Sequence, residues 1–162
     1  MNKKLFVISF MVCFCVVIFS TFAFAKERSC PLGVKVDIPN EYQLDEEDED
    51  SIFFTSESSM SMIMIGVVKL EAGQKLDKAM KKELLDTICN DKDIDIEYEN
   101  NEKIGNKQVY VMTGILSIDD ETMKAYIYVF QLKNKVVFSL CVCPLEDTKR
   151  EKIFDKIIES IY

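Results

Sequence analysis

Apolar and polar positions along this chain follow two periods, and the switches between them outline a fold. Val34, Val36 and Ile38 alternate with polar residues until Pro39-Asn40 ends the run, which predicts a short strand. Residues 52–55 and 60–70 read as two more strands, joined by the polar turn Ser56-Glu57-Ser58-Ser59. The 60–70 stretch is apolar on both faces, as a central strand is. The period then changes. Leu76, Ala79, Met80, Leu84, Thr87 and Ile88 recur at helical spacing, with Lys75, Lys78, Lys81, Lys82 and Asp86 elsewhere on the wheel. That spacing predicts an amphipathic helix over 75–89, stopped by Asn90-Asp91.

Period two returns at Ile94, Ile96 and Tyr98, which alternate with Asp93, Asp95, Glu97 and Glu99. The acids form one face, so this strand is predicted to be exposed or at an edge. Gly105-Asn106 supplies a two-residue hairpin turn. Strands over 108–118, 123–132 and 135–143 follow, turned at Asp119-Asp120-Glu121 and at Lys133-Asn134. These connections are too short for parallel crossovers, so the pairing must be antiparallel. Pro144 opens a last helix with Glu146 and Asp147 in its first turn, and Thr148-x-x-Glu151 offers an alternative capped start. Ile153, Phe154, Ile157, Ile158 and Ile161 form its buried stripe. The order predicts an α+β fold: an antiparallel sheet of about six to seven strands with two amphipathic helices packed on it.

The N-terminus follows neither period. Met1-Asn2-Lys3-Lys4 is a short positive leader, residues 5–22 are almost wholly apolar, and Ala23-Phe24-Ala25 places Ala23 and Ala25 at the −3 and −1 positions of a cleavage site. This is the pattern of a secretory signal peptide over residues 1–25, so the chain is expected to be exported, to a periplasm or outside the cell, as one domain over 26–162. An uncleaved anchor is the competing reading, since a bilayer span needs roughly 20 apolar residues.

Removing the leader from the 162-residue chain leaves 137 residues with 18 basic and 28 acidic side chains, a net charge of −10. Such a balance opposes binding to nucleic acid and adhesion to anionic membranes, so no membrane partner is expected after cleavage. Histidine is absent. The commonest general base, the commonest metal ligand and every Ser-His or Cys-His nucleophile system go with it. No catalytic residue, metal site or cofactor is assigned, and the chain is not expected to be an enzyme.

Four cysteines follow the leader: Cys30, Cys89, Cys141 and Cys143. In an exported chain an even number suggests disulfides, with three possible pairings. Cys141 and Cys143 share a strand face, where Cβ atoms two residues apart lie roughly 6.5–7 Å from each other, too far for a relaxed bridge. A bridge from one of them to Cys30 or Cys89 is easier. Met60, Met62 and Met64 also fall on one strand face, and with Cys141 and Cys143 they offer soft sulfur ligands for Cu(I) or a thiol-redox pair. The plainer reading is that Met and Cys pack cores well. Asp45-Glu46-Glu47-Asp48-Glu49-Asp50 is predicted to be an acidic loop, solvated or facing a basic partner. Tyr110, Tyr126, Tyr128 and Phe130 place aromatics on the meander, where cross-strand packing accounts for them.

The order of elements, the segment Val36-Asp37-Ile38-Pro39-Asn40-Glu41-Tyr42, the Gly105-Asn106 hairpin and the closing helix together resemble the PsbP-like family, which includes exported bacterial proteins of the DcrB type. The resemblance spans most of residues 34–162 and implies a small, exported, non-catalytic domain that docks on something else. It implies no site residues. The expected function is therefore a binding or accessory domain for an unknown protein or small ligand. The alternatives are the sulfur-based function on Cys141, Cys143, Met60, Met62 and Met64, and an inhibitor or immunity-type protein whose acidic loop meets its partner.

Overall fold

In the computed structural model, which describes residues 25–118 and 121–162, the chain forms β1 (Lys26–Ser29), β2 (Lys35–Ile38), β3 (Gln43–Glu47), β4 (Ser51–Ser56), β5 (Ser61–Lys69), α1 (Lys78–Lys92), β6 (Asp95–Ile104), β7 (Lys107–Ile118), β8 (Glu121–Leu132), β9 (Lys135–Pro144) and α2 (Arg150–Ser160). The predicted leader, apart from Ala25, and the Asp119-Asp120 turn lie outside the described residues. Seven strands make one antiparallel sheet in the order β3-β4-β5-β9-β8-β7-β6, and β1 pairs with β2 in a separate ribbon. This is the α+β architecture that the periodicity predicts. Among the described residues, no helix is long and apolar enough to cross a membrane.

The sheet is covered on both faces. On one, Ile52, Phe54, Ile63, Ile65, Tyr126, Tyr128, Phe130, Cys141 and Cys143 pack with the α2 stripe Phe154, Ile157, Ile158 and with Val34, Val36 and Ile38 of the ribbon. On the other, Ala125, Ile127, Val129, Leu140 and Val142 lie with Leu85 and Ile88 of α1. The helices thus cover opposite faces, and the central strands β9 and β8 are buried on both, which explains their near-continuous apolar sequence. Coverage by α1 is partial. Met62 and Met64 on β5, and Phe53 and Thr55 on β4, are half-buried, and Val68 is exposed.

Local signals explain most element ends. The turn Gly105-Asn106 forms as predicted, with Gly105 at φ +59 and Ile104 paired to Lys107. Asp77 caps α1 by accepting the Met80 N–H at 2.8 Å, so the helix starts later than the periodicity suggests. It runs past Asn90-Asp91 and ends where Asp93 turns left-handed at φ 52. Pro144 does not open the last helix. It is the final residue of β9, and α2 begins at Arg150 with no side-chain cap, so the Thr148 capping box does not form either. The ribbon strand β1 has no sequence signal, because Lys26-Glu27-Arg28-Ser29 contains no apolar residue.

The acidic run is not a simple loop. Asp45, Glu46 and Glu47 belong to the edge strand β3, which bulges at Asp45, and Asp48, Glu49 and Asp50 lead into β4. All six are exposed. Backbone pairing to β4 outweighs the like-charge repulsion, and the charges in turn guard the sheet edge against further pairing.

On α2, Asp155 accepts a hydrogen bond from the buried Tyr128 hydroxyl at 3.1 Å. Burial holds its carboxyl above the ordinary range, against the Tyr128 hydrogen bond, and the charges of Glu151 and Glu102 add to the rise. A carboxyl raised in the folded state favours folding while protonated, and that advantage is lost as pH rises through the folded value. Asp155→Asn keeps the acceptor and removes the ionisation. Its stability relative to the native chain is expected to rise between about pH 4 and pH 7. Urea midpoints at both ends of that range measure this, and equal differences at both would contradict it.

A lysine-rimmed groove under α1

The edge strand β6 sets up the concavity of most chemical interest. Its register shifts between Ile96 and Tyr98, so Glu97 is an extra residue and the alternation of faces flips there. Before the bulge, Ile94 and Ile96 face α1. After it, Glu99 and Asn101 lie on that face, opposite Met112 and Tyr110. The acids at 93–99 therefore do not form one face as the plain alternation predicts. Gly114 permits the bulge: a Cβ there would meet the Asp95 carbonyl oxygen at 2.4 Å.

Beside this floor, α1 contributes Lys78, Lys81, Lys82, Leu85 and Asp86, and together these nine residues line a groove of about 520 Å³. The lysines at 78, 81 and 82 share one side of the helix, as i, i+3, i+4 spacing requires. The Lys81 ammonium lies 4.7 Å from the centre of the Tyr110 ring, a cation–π contact. The Tyr110 hydroxyl donates to Glu99 Oε2 at 2.6 Å. Burial, and then the Glu99 carboxylate, push that phenol up to about 12. Tyr110 therefore stays protonated at neutral pH and serves as a donor and a flat apolar platform, not as a base. Among the described residues Lys78 and Lys82 form no ion pair.

The sulfur constellation does not assemble. Cys141 and Cys143 face α2, whereas Met62 and Met64 face α1 through the same sheet. Met60 precedes β5 in a left-handed turn at φ 46 and is exposed. With Met62 and Met123 it lines a separate shallow cleft of about 380 Å³ at the sheet end. Burial pushes the Cys141 thiol up to about 12, and burial together with Asp147 pushes Cys143 to about 11. Thiols held that high are poor nucleophiles and poor redox groups at neutral pH. Cys30 is likewise raised to about 12 by burial, and burial raises Cys89. Among the described residues, no cluster of His, Cys, Asp and Glu side chains is placed to hold a metal ion.

All four cysteines are free. Cys89 packs on the α1 face, so the sheet separates it from Cys141 and Cys143, whereas Cys30 shares the α2-side core with them but is also free, so neither long-loop bridge inferred from sequence is made. Thermal melts with and without reductant are accordingly expected to coincide, with four titratable thiols in the denatured 26–162 chain. A fall in midpoint on reduction would show a bridge instead.

A third polar feature is internal. Arg150 at the start of α2 is 8% exposed and donates to Glu41 at 2.7 Å, to Asp147 at 2.9 Å and to the Tyr42 hydroxyl at 3.3 Å. The hydroxyls of Tyr42, Ser61, Ser59 and Ser56 continue the chain through contacts of 2.8, 2.6 and 2.8 Å. Its charged groups are paired with one another, and only Ser56 and Ser61 at its far end border the shallow sheet-end cleft, so it is a clamp between the 39–42 turn, the β4–β5 hairpin and α2. The aromatics divide as well: Tyr126, Tyr128 and Phe130 are core, and only Tyr110 reaches the groove. The helical periodicity places the groove's lysines only off the apolar stripe of α1. Their i, i+3, i+4 spacing beside an aromatic-bearing meander was the available signal, but the bulge that turns Glu99 and Asn101 toward them has none.

The arrangement matches known architectures. One solved structure, a cyanobacterial PsbP (CyanoP) from Synechocystis, superposes with a TM-score of 0.64 at 11% identity, over 87% of this chain and 93% of that one. The fold is PsbP-like. A Bacteroides thetaiotaomicron crystal structure also matches, with a TM-score of 0.65 at 15% identity over 85% of this chain. This chain spans 48% of that protein's length. The Saccharomyces cerevisiae Ran-binding protein Mog1p matches with a TM-score of 0.53 at 9% identity, over 85% of this chain and 95% of its own. No protein-family profile and no curated protein matches the sequence. At these identities the likeness is one of fold.

Proposed function

We propose that this chain is an exported, non-catalytic binding module, and that the groove under α1 is where it binds. The observation that carries this reading is the groove itself: a concavity with a cationic rim, an aromatic platform and an apolar floor. Its volume falls within the roughly 300–1,000 Å³ of small-molecule sites. The side chains around it suit recognition better than turnover, since Tyr110 is held protonated and each of the four cysteines among the described residues has its thiol raised. A PsbP and a Ran-binding protein share this architecture, which supports a recognition role without transferring either partner. Export rests on the N-terminal order of charge, apolar run and Ala23-Phe24-Ala25.

Two measurements test the reading. Intact mass of the protein recovered from the envelope or medium of an expressing cell should correspond to a chain starting at Lys26; an intact leader would remove the export claim. A thermal-shift screen of small organic anions, cations and neutral compounds should yield stabilising ligands. Their amide-signal changes should centre on Leu85, Tyr110 and Met112. Changes centred elsewhere, or conversion of the ligand to product, would defeat the binding-module reading.

A further inference from the structure

We infer that the groove's ligand is a small amphipathic monocarboxylate: one carboxylate group held between Lys78 and Lys82, carried on a short apolar body that lies against Tyr110, Leu85 and Met112. The inference rests on the binding-module reading and adds the ligand's chemistry to it.

Charge decides the head group. A mature chain with a net charge of −10 repels anions over most of its surface, so three lysines within five residues, facing one cavity, stand out. Lys81 is already engaged over the Tyr110 ring. Lys78 and Lys82 are the charges left to meet a ligand, one helical turn apart. The same groove contains Glu99 and Asp86, so its side chains sum to a single positive charge. A monoanion matches that sum, whereas a phosphate dianion would face two carboxylates across a small space. The backbone argues the same way. The N-terminal amides of a helix are the usual phosphate receptor, and here the Met80 N–H is already taken by Asp77. No arginine lines the groove, so the planar fork that grips phosphate is missing as well.

The floor decides the body. Leu85 and Met112 are buried core residues whose apolar surface reaches the cavity, and the Tyr110 ring is fixed from above by Lys81 and at its hydroxyl by Glu99. A short alkyl or aromatic group gains contact there without unpairing a polar group. Beside the groove, the edge of β6 offers an extended peptide one backbone donor fewer, because the Asn101 N–H is satisfied by the Asn100 side chain at 2.9 Å. A carboxylate could still come from a free acid or from the last residue of a peptide, and the probes below separate the two.

Sodium octanoate, octanamide, N-acetylleucine and inorganic phosphate are titrated into the full mature chain at neutral pH and followed by amide chemical shifts. Octanoate or N-acetylleucine should saturate, with changes centred on Leu85, Tyr110 and Met112. Octanamide and phosphate should bind at least about tenfold more weakly, the loss expected when a charge-assisted contact or the apolar contact is missing. The stronger of the two carboxylates assigns the source to a free acid or to a chain end. The double variant Lys78→Gln/Lys82→Gln should lower carboxylate affinity by about tenfold or more, while Lys149→Gln/Lys152→Gln, away from the groove, should leave it unchanged. Octanamide or phosphate binding as well as octanoate, or affinity unchanged in the Lys78/Lys82 variant, would overturn the assignment. A screening ligand of other chemistry that moves the same signals while both carboxylates fail would overturn it too, yet leave the binding-module reading standing.

Discussion

Phe154→Ala is expected to lower the unfolding free energy by about 3–5 kcal/mol, the usual cost of removing a phenylalanine from a packed core. Phe154 is fully buried, and its ring meets Tyr126 edge to face with centroids 5.6 Å apart. It sits at the middle of the α2 stripe, where helix, ribbon and sheet share one core, so the space left by the ring cannot be refilled from solvent-facing side chains. Against a typical stability of about 5–15 kcal/mol, the variant would be marginal. A urea melt of the two proteins measures the difference. A loss below about 1 kcal/mol would mean that α2 is not seated as described.

The second large effect is expected at Arg150. Replacing it with methionine keeps much of the packing length and removes every hydrogen bond of the guanidinium to Glu41, Asp147 and Tyr42. Hydrogen bonds to charged groups contribute roughly 1.5–3 kcal/mol. Because the Glu41 and Asp147 side chains are 32% and 27% exposed, water recovers part of that loss, and the lower half of the range is expected. The loss should shrink when Glu41→Gln and Asp147→Asn are added, since the stranded carboxylates then disappear. A triple variant no more stable than Arg150→Met would show that the clamp acts through shape and not charge.

How far the sequence discloses this fold depends on what each position has to satisfy. The β7–β8–β9 meander was legible because alternation, two-residue turns and antiparallel pairing all follow from neighbours a few residues apart. The α2 stripe was legible for the same reason. The start of α2 was not, because Pro144 fits the last position of a strand as readily as the first of a helix, and only the sheet decides between them. The acids at 45–47 form a strand because β4 offers them partners, and like charge alone argues the other way. The groove was the least legible part. Its lysines lie in one local pattern, its tyrosine in another, and the bulge at Glu97 that joins them to Glu99 and Asn101 depends on a tertiary fit at Gly114. The separation of cysteines from methionines was hidden for a related reason: each set shares a strand face, but which face of the common sheet either takes depends on strand register.

The order β3-β4-β5-β9-β8-β7-β6 also has a kinetic meaning. Three strands before α1 and four after it can each form as local hairpins, but the sheet is complete only when β5 meets β9. That seam joins residues 66 to 80 positions apart, from Lys69 with Lys135 to Met62 with Val142. Closing such a loop costs chain entropy before any contact across it gives a return, and sheets dominated by distant pairings fold slowly. Until the seam closes, β5 and β9 each present an apolar edge, Ile63, Ile65 and Val67 on one and Val137, Cys141 and Cys143 on the other. A chain that is still folding would be most prone to aggregate in that interval. Substitutions at the seam should therefore slow refolding more than equally destabilising substitutions in the outer strands.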